Sequence, residues 1–231
     1  MLKKKTVSLF VIIFCAFSMT SCIGIIEKIL FNKNGSGTYS MTLDMSEAVK
    51  MMAAFGDVSA ELDTGLDSLN NVFNIRAKAL EAINGISNVR QEVNKEQLIF
   101  SIILDFKDVH ALNQGMSEFY KDESTNQAEQ FVFFKESKGS LERTNINRVL
   151  DALDYALNSD EMDQEFNPAA FLGEMFYEQQ ISFNSDIKSF SNSTYVQGDG
   201  TNWDEKALRW KKYLFKPADK DKVIDVLIKT N

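Results

Sequence analysis

Few side chains in this sequence are of a type that performs chemistry. Cys15 and Cys22 are its only thiols and His110 its only imidazole. A cysteine or serine nucleophile needs a base within hydrogen-bond reach, and no G-x-S-x-G segment supplies the serine alternative. His110 follows Asp108 by two residues and lies among Val109, Leu112 and Met116, so it reads as a surface or capping residue of a helix. Zinc needs three or four cysteine, histidine or carboxylate ligands, and one histidine does not begin such a set. No phosphate-cradling G-x-x-x-x-G-K-[ST] or G-x-G-x-x-G occurs.

Carboxylates are the remaining chemical groups. Asp160, Glu161, Asp163 and Glu165 cluster in one run, and Asp199, Asn202, Asp204 and Glu205 in another. Either could offer oxygens to calcium. Neither has the alternating ligands, sixth-position glycine and twelfth-position glutamate of an EF-hand loop, and both read as solvated loops. A hydrolase carboxylate pair is set by three-dimensional separation and leaves little trace in sequence, so that chemistry stays open at this level. No cofactor is implied, and the chain reads as a non-enzyme.

The environment of Cys22 is more informative. Lys3, Lys4 and Lys5 precede the apolar run "VSLFVIIFCAF", and small polar residues lead to the cysteine. This is the plan of an export signal, too short in its apolar part for the roughly 20 residues of a membrane span. At Cys22 it resembles a bacterial lipoprotein signal, with Met19 where the commonest lipoboxes carry leucine, a looser form similar to signals of the Bacteroidetes type. The resemblance implies that residues 1–21 are removed and that the Cys22 thiol is linked to diacylglycerol, with palmitate-type acylation. Removing three lysines and no acid leaves 22 basic against 33 acidic residues, a formal charge of −11, and deletes Cys15. The mature chain, 22–231, then has no thiol for a disulfide, and its core must hold by packing. Two or three acyl chains anchor a protein essentially permanently. The residues after Cys22 are Ile23, Gly24, Ile25 and Ile26 rather than the acidic patch associated with surface export, so attachment to the outer membrane facing the periplasm is expected.

The elements that follow come in hairpins and helices. Arms at 25–32 and 37–45 flank Asn34-Gly35, a turn pair tolerant of positive φ, and Tyr39, Met41, Leu43 and Met45 share one face. Ser46 is placed to cap a helix over 46–55. Leu62, Leu66, Leu69, Phe73, Leu80 and Ile83 recur at helical spacing and predict a second helix over about 63–84, ended by Gly85. A second hairpin pairs Val89, Gln91 and Val93 with a strand in which Phe100, Ile102, Leu104 and Phe106 share a face. Asp108 caps a helix bearing Val109, Leu112, Met116 and Phe119. A third hairpin turns at 137–139, a helix carries Ile146 to Leu157, a short helix spans 168–176 from Pro168, and the tail reads as strands. With 44% hydrophobic residues the chain is globular. The pattern predicts an α+β fold, antiparallel hairpins forming a sheet with helices on one face, as one domain with a soft division near 160–180.

The segments "GSGTYSMTLDMSE", "INGISNVRQEVNKEQLIFSIILDFKDVHALN", "ISFNSDIKSFSNS" and "VIDVLIK", in this order after the cysteine, resemble the LppM-type lipoprotein domain and similar Bacteroidetes lipoproteins. Asn184-Ser185 stands where many such domains have Pro-Gly, and the C-terminal membrane helix of some members is lacking. The resemblance implies an α+β envelope lipoprotein and supplies no reaction.

Three further features carry a functional and a plain reading. In "LRWKKYLFK", Arg209, Trp210, Lys211 and Lys212 are candidates for contact with a membrane surface, against a plain strand with Trp210 and Leu214 inward. Asp67-Ser68-Leu69 resembles the Bacteroidetes O-glycosylation motif but falls inside the predicted long helix. Met41, Met45, Met51 and Met52 with Phe55 could line an apolar cavity, or simply pack the core. Nucleic acid is excluded by charge. A non-enzymatic binding or interaction module of the cell envelope is the reading adopted, with a carrier of lipid or another apolar ligand as the alternative.

Overall fold

The structure, a computed structural model, describes residues 23–47, 59–119, 131–144, 174–201 and 203–231. Cys22, most of the helix expected over 46–55, the helix at 146–157, the acidic run 160–165 and the residues around Pro168 lie outside the described residues. So do Met51, Met52 and Phe55.

The first hairpin forms as its alternation dictates. Strands β1 (Gly24–Phe31) and β2 (Gly37–Asp44) pair antiparallel, Ile29 opposite Tyr39. Its turn is longer than a two-residue Asn-Gly turn: Gly35 N–H donates to Asn32 O (3.1 Å), and the Asn32 N–H to Ser36 O (2.7 Å). Only Gly35 of the pair takes a left-handed φ, at +79°. Helix α1 (Ser59–Glu81) starts four residues before the expected boundary. It tightens through Ala82 and Ile83 into Gly85, whose φ of +90° turns the chain back. Strands β3 (Ile86–Asn94) and β4 (Ile99–Phe106) make the second hairpin. Asp108 caps helix α2 (Val109–Phe119), its Oδ1 accepting from the Ala111 N–H at 2.8 Å.

Strands β5 (Phe134–Ser137) and β6 (Ser140–Arg143) form the third hairpin. The tail supplies β7 (Phe176–Phe183), β8 (Ile187–Phe190), β9 (Val196–Gln197), β10 (Ala207–Tyr213) and β11 (Val226–Thr230). Phe176, expected at the end of a short helix, opens β7 instead.

These strands build two sheets. The larger runs β3-β4-β2-β1-β7-β10-β9 and the smaller β5-β6-β11-β8. The α+β class holds, and among the described residues all pairings are antiparallel except one: β1 lies parallel to β7, Gly24 opposite Phe176 and Phe31 opposite Phe183. Local alternation cannot reveal that pairing because it joins segments about 150 residues apart.

One face of the large sheet carries the core. Ile25, Ile29, Phe31, Tyr39, Phe100, Ile102, Leu104, Phe106, Tyr177, Ile181, Leu208 and Trp210 are all on it and buried. Both helices and the small sheet cover this same face: Phe73 of α1 meets Phe100, Phe119 of α2 meets Tyr39, and Phe134 of β5 meets Phe31. Asn113 of α2 ties the small sheet on, its Oδ1 accepting from the Phe133 and Phe134 N–H groups and its Nδ2 donating to Phe134 O. Burial of these aromatic and aliphatic side chains contributes about 1.5–3 kcal/mol each. That is the main stabilising term for a mature chain expected to lack a disulfide.

Two glycines test this packing with opposite signs. A Cβ at Gly37 would lie 1.9 Å from Leu30 O and 2.5 Å from Phe106 Cζ, so Gly37→Ala is expected to destabilise by about 2–3 kcal/mol. At Gly115, inside α2, the nearest atom would be Ile86 Cδ1 at 3.4 Å, an ordinary contact. Gly115→Ala should therefore stabilise by about 0.5–1 kcal/mol through helix propensity. Urea unfolding midpoints of the two variants check both signs.

Candidate functional site

The alternation of β1 places Glu27 between Ile25 and Ile29 on the inward face, where the side chain is 0% exposed. An unpartnered carboxylate there would be prohibitively destabilising. Neighbouring strands supply its donors. Tyr39 of β2 donates its hydroxyl to Glu27 Oε1 at 2.9 Å, and from β7 Tyr177 and Gln179 donate to Oε2 at 2.5 and 2.8 Å. The network extends outward: Tyr195 Oη stands 2.9 Å from Gln179 Oε1 and 2.8 Å from Ile224 O. It thereby links the segment before β9 to the one before β11. Arg143 of β6 is also buried, with its guanidinium against the Phe133 and Phe134 rings and a donor on Thr144 O at 3.1 Å.

Burial drives the electrostatics of this cluster. The Tyr177 hydroxyl titrates well above its ordinary range, chiefly because desolvation penalises phenolate, with the adjacent Glu27 charge adding to the effect. Tyr195 is raised for the same leading reason, although the Arg143 cation opposes the shift. The cluster resembles a catalytic carboxylate site in composition. In geometry it is sealed, because Glu27, Tyr39, Tyr177, Gln179 and Tyr195 are each at most 3% exposed. A base must reach a substrate proton, and this carboxylate is engaged by the Tyr39, Tyr177 and Gln179 donors. What the arrangement does is clamp β1, β2 and β7 in one register.

An open site lies where β1, β5, β7 and β11 run out. A cleft of about 200 Å³ is lined by Phe31, Asn32, Lys33, Glu136, Ser137, Ser140, Ser185 and Asn231, among others. Phe31 closes its floor, in ring contact with Phe106, Phe134 and Phe183. Its walls are polar, with Asn184 Nδ2 donating to Asn32 Oδ1 at the rim. Both signs of charge are present, Lys33 and Glu136, which suits a polar ligand or a peptide loop.

The residues expected to matter from sequence are scattered. Arg209 extends outward, 2.6 Å from Glu178 Oε2, with Lys211 at 3.9 Å from the same oxygen. Trp210 is 1% exposed and donates its indole N–H to Thr194 Oγ1, so it belongs to the core and not to any surface. Lys212 turns to the Lys220 and Lys222 carbonyls. His110 is exposed on α2. Asp199 and Asp204 each direct an oxygen to their own loop, onto the Thr201 and Lys206 N–H groups. Among the described residues, no three cysteine, histidine, aspartate or glutamate side chains gather as a metal site. Asp67-Ser68-Leu69 lies within α1. Glu27 and its tyrosines were not anticipated. The available signal was a glutamate at a position whose parity matched three core residues.

Two outcomes follow from the cluster. Glu27→Leu strands the Tyr39, Tyr177 and Gln179 donors and is expected to cost about 3–5 kcal/mol in urea unfolding, whereas Glu27→Gln, which keeps an acceptor, costs less. For Tyr177 and Tyr195 the neutral form is favoured by folding, so their contribution is intact below the unfolded tyrosine range near pH 10. Above it, stability falls by about 1.4 kcal/mol per pH unit per tyrosine, because the unfolded chain releases the proton first. Denaturation monitored between pH 9 and 12 checks this, and Tyr177→Phe should lessen the slope.

No family model and no curated protein matches the chain. Among solved structures, the NMR structure of the folded domain of the Mycobacterium tuberculosis LppM protein is similar to it, with a TM-score of 0.40 and 8% identity over 92% of this chain and 91% of that one.

Proposed function

We propose that this chain is a lipid-anchored cell-envelope protein acting as a non-enzymatic binding or interaction module, held through Cys22 on the periplasmic side of the outer membrane. The observation that carries this reading is the polarity of β1. The strand begins two residues after Cys22, and Ile23 is already in the ladder, its carbonyl accepting from the Phe176 N–H at 2.9 Å. It ends at Phe31, the floor of the open cleft. Eight strand residues span roughly 23 Å, so an anchor at one end presents the cleft away from the bilayer at the other. The non-enzymatic part of the reading is supported by the sealed state of the Glu27 cluster, whose polar groups are committed to one another. Among the described residues no helix is long and apolar enough to cross a membrane, which leaves the thiol-linked lipid as the attachment this reading requires.

Expression of the full chain in a bacterial host fed labelled palmitate tests the proposal. The expected result is label in the protein, recovery in the membrane fraction and loss of both in Cys22→Ala. An unlabelled chain that stays soluble after export overturns the reading.

A further inference from the structure

We propose that the edge of the large sheet formed by Phe176, Lys211, Tyr213, Lys216 and Lys220 is the face that lies on the bilayer and engages anionic headgroups. This rests on the anchoring at Cys22 proposed above and adds which surface of the domain meets the membrane. Three observations converge on that edge.

The first is register. Gly24, Phe176 and Tyr213 are consecutive partners across β1, β7 and β10, so Tyr213 stands about 10 Å from the start of β1. The peptide chain allows at most about 7 Å more between Gly24 and Cys22. An acylated Cys22 therefore brings this edge within a Debye length or so of the headgroups.

The second is chemistry. The Phe176 ring lies over Gly24, with its Cζ 2.5 Å from where a Cβ would be. Lys211 Nζ sits 3.4 Å above that ring and 4.9 Å from the Tyr213 ring, and Lys216 Nζ is 4.0 Å from Tyr213. Half-buried aromatic rings under lysine ammonium groups are the arrangement that suits a membrane interface, ring at headgroup depth and cation toward phosphate.

The third is charge. The whole chain carries −8, yet residues 209–222 hold six basic side chains against two acidic ones. The acids packed nearby are Glu174, 2.7 Å from Lys216, Glu178 beside Arg209 and Lys211, and Asp219 beside Lys222. With Asp221 they make four acids against the six bases, which leaves an excess of two positive charges among the described residues. A net positive patch at the anchored end of an acidic protein turns the rest of the molecule away from an anionic surface, which orients it as well as holding it.

The acylated full chain, reconstituted into phosphatidylethanolamine–phosphatidylglycerol vesicles with a headgroup-attached quencher, tests this. Acylation occupies Cys22 and processing removes Cys15, so Ala218→Cys at the basic edge or Lys138→Cys at the cleft end gives one free thiol for a fluorophore. The expected result is quenching at 218 and not at 138. Adding Lys216→Gln and Lys220→Gln to the 218-labelled chain should lower the ratio of docked to undocked molecules about fivefold per lysine, with added salt acting in the same direction. Vesicle-bound protein with equal quenching at both positions overturns the orientation while leaving the anchor intact. Protein that fails to float with the vesicles overturns the anchoring reading and this one with it.

Discussion

A carboxylate at the centre of an apolar sheet face is the constraint around which this fold is arranged. Glu27 is on the fourth of seven strands and is fully buried, so its charge must be satisfied from within the protein. Its donors come from both flanking strands, Tyr39 on one side and Tyr177 with Gln179 on the other. A register slip of one residue in either pairing would move the donors to the opposite face and expose the carboxylate to hydrocarbon. The network thus selects one alignment of three strands, two of which are far apart in sequence. Hydrophobic burial supplies the bulk of the stability, but apolar contacts are tolerant of sliding and this cluster is not.

The parallel alignment of β1 and β7 gives the sheet its two functional ends. Because both strands run the same way, Gly24 and Phe176 at their starts share one end of the sheet, while Phe31 and Phe183 meet at the other, stacked with ring centroids 5.7 Å apart. The aromatic group around Phe31 seals the core just beneath the cleft. The chain enters this framework at Gly24, the first residue of a central strand, with the Ile23 carbonyl already paired to the Phe176 N–H.

The small sheet and α2 cover the polar cluster, Phe119 of α2 lying against Tyr39. Arg143 enters from β6, and Tyr195 reaches the Ile224 carbonyl ahead of β11. The cluster therefore couples the two sheets as well as the three strands. Trp210 shows the same economy: its ring meets Tyr177 edge-on, and its N–H is satisfied by Thr194 in the turn before β9.

Residue by residue, the local structure was legible in the sequence. Alternation in "GTYSMTLD" and "IFSIILDF", the Asp108 cap and the glycines at 35 and 85 all act over a few residues, and period-two and helical patterns report such short-range geometry directly. The candidate sites were not legible, because their members are brought together across the sheet. Tyr177 and Gln179 lie 150 and 152 residues from Glu27, and the partner of a strand leaves no imprint on that strand's own periodicity. Trp210, set among lysines, reads from sequence as an inward residue of a plain strand with a membrane surface as the lesser alternative, and the β7–β10 register places it opposite Gln179 on the inward face. The sequence by itself determined which segments became strands and helices and which residues shared a face. Sheet order decided the rest, since only the tertiary structure could satisfy a buried charge and bring the lysines around Tyr213 beside the start of β1.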